Sequence, residues 1–247
     1  RFHKAYLELN FELRMSKVCS NIVFYKIIGI PSFMLNIFIS LLFSFILFSE
    51  VTFAEKVEVF DFTEDEYKTL KVKKVKGETS WSLGSNENGN FIKAEAEGKG
   101  SGLGKEVRID LTKTPFINIT WKVEKNLPDI VENSKKGHDY AARVFVIKKT
   151  GSTALSNRAI NYVFSSNNEI GENWPSPYTK KSIDYVLSTT NRGFNEWVTV
   201  KANVREHFKQ LHNLDVKQLS GLAIMTDTDN SKMKAISYYQ NIYFSSE

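Results

Sequence analysis

The sequence holds a single cysteine, Cys19, and it lies ahead of the long apolar run at 27–48. Residues 55–247 therefore carry no disulfide, no thiol nucleophile and no cysteine-ligated zinc. Cys19 is not placed for lipid attachment either, because it precedes the apolar run instead of following it. Histidine is scarce: His3, His138, His207 and His212 make up the whole set. The last two are five apart, not the i, i+4 of a helical metal pair, and no HExxH, GxSxG or P-loop pattern occurs. Five prolines and 13 glycines exclude collagen-like and low-complexity chains. A strong excess of one charge is missing as well. Residues 55–247 hold 28 Lys/Arg against 25 Asp/Glu, interspersed as in "KVKKVKGE" and "KAEAEGKG". Nucleic-acid binders concentrate basic residues on one face or stripe, so no nucleic-acid partner is expected.

Aromatic residues are abundant, with 18 Phe, 10 Tyr and 4 Trp, and they favour strands. Period-two alternation runs through "KVEVFDF", "EVRIDL" and "FINITWKV". Further strands are predicted at 91–96, 140–148, 159–165, 183–188, 197–200, 221–226 and 235–244. Half-buried alternation implies antiparallel sheets sharing one core. Only "NVREHFKQLHNL" reads as helix, with Val204, His207, Phe208 and Leu211 on one side and Asn203 as N-cap. The expected fold of 55–247 is a single all-β domain: an antiparallel β-sandwich, jelly-roll-like, with one short helix.

Residues 1–54 read as an address. From Met15, the better start for a leader, the order is Lys17, Lys26, the apolar "FMLNIFISLLFSFILF" and "SEVTFA". That order suits a signal peptide cut after Ala54. The 22 mostly apolar residues 27–48 equally suit a retained N-terminal membrane anchor. In both readings 55–247 is exported to the periplasm or cell surface, and membrane contact is confined to the N-terminal segment.

Three stretches carry polar groups suited to a ligand. In "GLAIMTDTDNSKM" an apolar run ends in Asp227, Asp229 and Asn230. These close a hairpin turn, line a ligand rim or offer oxygens to Ca²⁺; the EF-hand spacing is not met. In "HDYAARVFVI" alternation puts Asp139 and Arg143 on the face of Phe145. Arg143 there grips a ligand, oriented by Asp139, or ties two strands as an Arg–Asp pair. "NYVFSSNNEIGENWPSPYT" brings Asn161, Tyr162, Trp174 and Tyr178, with a loop from 165 to 178. Trp174 and Tyr178 either stack on a sugar ring or fold back over the core. "GKGSGLG" lacks the GK[ST] ending of a phosphate loop and reads as a flexible turn.

Taken in order, "GKGSGLGKEVRIDLTKTPFINITWKVEKNLP", "KKGHDYAARVFVI", "NYVFSSN", "GENWPSPYT", "EWVTVKANVREHFKQL" and "GLAIMTDTDNS" resemble an exported bacterial family catalogued as domain of unknown function 3047. The resemblance spans about 57–244 and implies a periplasmic or surface location and no particular activity. His138-Asp139 stands where the family often has two acids; if that pair serves a metal, this chain lacks one of its ligands. The leading expectation is a non-catalytic binding module for a glycan or similar polar ligand in the bacterial envelope, with no cofactor beyond the Ca²⁺ named above. Its alternatives are a glycan hydrolase or lyase, for which Asp139, Asp184 and Asp227 would have to converge, and a purely structural envelope protein.

Overall fold

The computed structural model describes residues 54–153 and 156–247. The N-terminal address falls outside these residues. Among those described, no helix is long and apolar enough to cross a membrane. Ala54–Glu247 forms one compact unit.

Two sheets share its core. The six-stranded sheet runs β11 (Val198–Asn203), β6 (Phe116–Lys125), β13 (Lys234–Ser245), β4 (Gly89–Glu97) and β3 (Ser80–Asn86), with β1 (Lys56–Phe60) on the far end of β13. The seven-stranded sheet runs β2 (Lys71–Lys76), β5 (Gly100–Glu106), β12 (Gly221–Asp227), β7 (Ala142–Lys148), β8 (Arg158–Ser165), β10 (Thr179–Thr189) and β9 (Asn173–Ser176). The chain is thus a β-sandwich. One pairing departs from the antiparallel expectation: β10 runs parallel to β8.

Alternation explains the best-read strands. In β6, Ile117, Ile119, Trp121 and Val123 face the core, fully or almost fully buried. They meet Leu103, Val144, Val146, Tyr162, Phe164 and Ile224 from the other sheet. Polar bonds cross this apolar layer. The Trp121 indole donates to the Ser188 hydroxyl at 2.8 Å. The Tyr239 hydroxyl of β13 donates to the Met225 carbonyl at 2.6 Å and accepts from the Arg143 amide at 3.2 Å. Tyr239 therefore ties the first sheet to the two strands that carry the site.

Among the described residues two helices occur, not one. α2 (Val204–His212) is the predicted helix; the Asn203 side chain accepts from the Glu206 amide and Asn213 closes it in the left-handed region. α1 (Glu64–Thr69) begins at the Thr63 cap and buries no residue, so it leaves no apolar period to read. The predicted strand at 107–111 is not a strand. Ile109 and Leu111 are buried, but the backbone leaves the sheet after Glu106 and is held by bonds to Lys217 and Ser220. The predicted turn "GKGSGLG" contributes most of β5, and part of the predicted 165–178 loop is β9.

Candidate functional site

The site lies on the outer face of the seven-stranded sheet. Along β5, Ser101 and Leu103 point to the core, and Gly100, Gly102 and Gly104 alternate with them on the outside. Their partners across β12 are Asp227, Met225 and Ala223. A Cβ on Gly102 would lie 2.9 Å from the Ile224 carbonyl oxygen, and one on Gly104 2.9 Å from the Ala223 Cβ. Side chains are excluded here by close backbone approach. The resulting trough is flanked by Phe145 and Ile147 of β7 and by Lys71 and Lys73 of β2, and it forms an open groove of about 760 Å³.

One end of the groove is polar and densely bonded. Arg143 and Asp227, both almost fully buried, form an ion pair. The guanidinium also lies 4.6 Å from the centre of the Tyr140 ring. Burial pushes the Asp227 carboxyl up to about 6, against the lowering pull of Arg143. His138 shares a 2.8 Å hydrogen bond with the buried Asp184, which also accepts from the Asn161 amide at 2.7 Å. The loop between β6 and β7 that carries His138 is anchored by buried Glu132, which accepts from the Ser165 hydroxyl at 2.6 Å and the Ser166 amide at 2.8 Å.

Six residues singled out from sequence meet at this end. Asp139 accepts from the Asn230 side-chain amide at 2.9 Å and from the Ser231 backbone at 2.6 Å. Tyr178 is exposed and donates to Asn230 Oδ1 at 2.9 Å. Arg143, Tyr178, Asp227, Asp229 and Asn230 line the groove, with Asp139 just behind the turn they form. Arg143 pairs with Asp227, however, and not with Asp139. Asp139 precedes β7, so strand alternation does not apply to it.

The other three do not line the groove. Asn161 is buried on Asp184 and Ser182. Trp174 packs on the small cluster of Tyr140, Val163 and Val186. Tyr162 points the opposite way, wholly buried between the sheets, with its hydroxyl 3.1 Å from His207 Nδ1. Sequence reasoning could have found this, because Ile160, Tyr162 and Phe164 share one face. It missed the groove floor, whose signal was the period-two glycines, and it did not select His138.

One oxygen from each of Asp139, Asp227 and Asp229 falls within 4.8 Å of the others. Two of the three are already engaged, Asp139 by N–H donors and Asp227 by a guanidinium. A cation placed among them would face the Arg143 charge.

The family description "Protein of unknown function (DUF3047)" matches residues 65–243. The chain belongs to this family. The DUF3047 match begins in α1 and ends in β13, and so takes in the whole groove. A comparison with curated protein sequences gives no match. Among solved structures, the fold is similar to the family 30 carbohydrate-binding module of the cellulosomal cellulase CEL9D-CEL44B of Clostridium thermocellum. That likeness has a TM-score of 0.46 at 9% identity and covers 78% of this chain and 98% of that one. It is also similar to a family 11 carbohydrate-binding module of the same organism in complex with a β-1,3-1,4-mixed-linked tetrasaccharide, with a TM-score of 0.43 at 10% identity, covering 78% and 96%. Likeness at this level carries nothing about ligands.

Proposed function

We propose that this DUF3047 protein is a non-catalytic binding module, exported from the cytoplasm, whose groove receives a glycan or similar polar chain. The observation that carries the reading is the groove itself: open, floored by glycines, apolar along Phe145 and Ile147, and polar at one end. A sugar ring has an apolar CH face and a rim of hydroxyls. The first suits a smooth apolar trough, and the second suits a few convergent polar groups. The engaged state of the acids supports binding over hydrolysis. Asp139 is held by turn amides, Asp184 by His138 and Asn161, and Asp227 by Arg143.

The test is a glycan array probed with the full chain, with and without Ca²⁺, alongside Gly104→Val. Binding by the wild type, lost when the valine fills the trough, supports the reading. Silence across all glycans sinks it in favour of a structural envelope role.

A further inference from the structure

We propose that the groove selects a glycan bearing carboxylates, a uronate chain, over its neutral counterpart. This rests on the glycan reading above and adds the chemical class of the ligand. Two separate observations carry it.

The first is Arg143. Its residue is 3% exposed and lines the groove. One terminal nitrogen is spent on Asp227, while the Nε–H has no partner in the structure. A buried, charged donor left open is costly, and a planar guanidinium is shaped to hold a carboxylate through two parallel bonds. An incoming carboxylate or hydroxyl oxygen satisfies this donor and is fixed in direction by it; because Asp227 already offsets the guanidinium charge, the preference for a carboxylate is set by the opposite rim.

The second is the opposite rim. Lys71 pairs in register with Gly104 and Lys73 with Gly102, so both side chains leave the strand beside the glycine floor, their Cα atoms about 7 Å apart, and both line the groove. Other charges around the groove are matched: Lys105 with Glu66 at 2.5 Å, Lys149 with Glu106 at 2.8 Å, and Arg143 with Asp227. Among the described residues, Lys71 and Lys73 have no ion pair within 4.0 Å, and the groove acid in the same position is Asp229, at the other end. Lysines on an edge strand also deter sheet extension. That role is indifferent to what lies across the strand. It does not account for two glycines directly opposite the two lysines.

The experiment is titration calorimetry of the full chain with oligogalacturonate and oligomannuronate, and with the carboxyl-reduced form of each, at low and high salt. At least one acid form is expected to bind about tenfold or more tighter than its reduced form, with the advantage shrinking in high salt. Lys71→Gln with Lys73→Gln, both at exposed positions of β2, is expected to remove most of that advantage. Equal binding of acid and reduced forms, or an advantage untouched by the double substitution, overturns the selection while leaving the glycan groove intact. No binding of any of the four overturns both.

Discussion

The two outer faces of the sandwich treat the same problem in opposite ways. On the six-stranded sheet, Gly84 is covered: a Cβ there would lie 2.5 Å from the tip of the Phe91 ring. Phe91 in turn packs against Trp197 and Tyr238, with ring centres 5.8 and 5.6 Å apart. The surrounding charges pair in solvent, as Lys93 does with Glu95 at 2.7 Å. An aromatic fills the space that the glycine vacates. On the seven-stranded sheet no ring covers Gly102 or Gly104, which line the groove with Gly102 buried and Gly104 partly exposed, and the charges at the groove's end are buried. A glycine in a strand is thus a gap to be filled or a gap kept open, and its cross-strand neighbour decides which.

The contrast can be broken most severely at Arg143. Arg143→Met leaves Asp227 buried without its cation, and a loss of roughly 3–5 kcal/mol in urea unfolding at neutral pH is expected. A loss below about 1 kcal/mol would mean that the end of the groove is wetter than its burial implies.

A second effect depends on pH. The folded Asp227 carboxyl is raised to about 6 from its ordinary value of 3.8. The native state therefore holds the proton longer than the unfolded chain does. This contribution is complete below about pH 4 and is lost as pH rises through 6, amounting to roughly 3 kcal/mol. His207 and His212, lowered by burial, act in the opposite sense, favouring the native state as pH rises. The readout is accordingly the difference between wild type and Asp227→Asn across this window; a constant difference would refute the assignment.

Smaller effects sharpen the comparison. Gly102→Ala drives a methyl against the Ile224 carbonyl, part of the backbone, and is expected to cost about 1–3 kcal/mol and weaken ligand binding. Gly84→Ala meets only a ring that can swing aside, so it should cost less and leave binding untouched. Smallest of all, Lys93→Met removes an exposed pair, and its expected effect on thermal unfolding is below about 1 kcal/mol. Equal binding losses from both glycine substitutions would erase the distinction between the faces.

Much of the sandwich was legible in particular stretches. In β6 the apolar residues Ile117, Ile119, Trp121 and Val123 fall at alternate positions, so its pattern is written in apolar side chains. α2 announces itself through the Asn203 cap and the Val204–Phe208 spacing. β2 and β5 were missed because lysines and glycines carry no apolar alternation, although both lie in the sheet. The "EVRIDL" stretch misled for the converse reason: buried alternation does not require a ladder partner. At the site, alternation put Asp139 and Arg143 on one face, but the acid that meets Arg143 is Asp227, 84 positions away.

The face that each strand residue takes is a local property, set by the pleat, and the amino-acid order alone was enough to specify a two-layered all-β body. Which charge meets which, and which glycines go without a covering ring, depends on strands brought together from distant parts of the chain. Loop closure leaves no mark on local composition, so the groove and its buried Arg–Asp end were decided only when the two sheets packed.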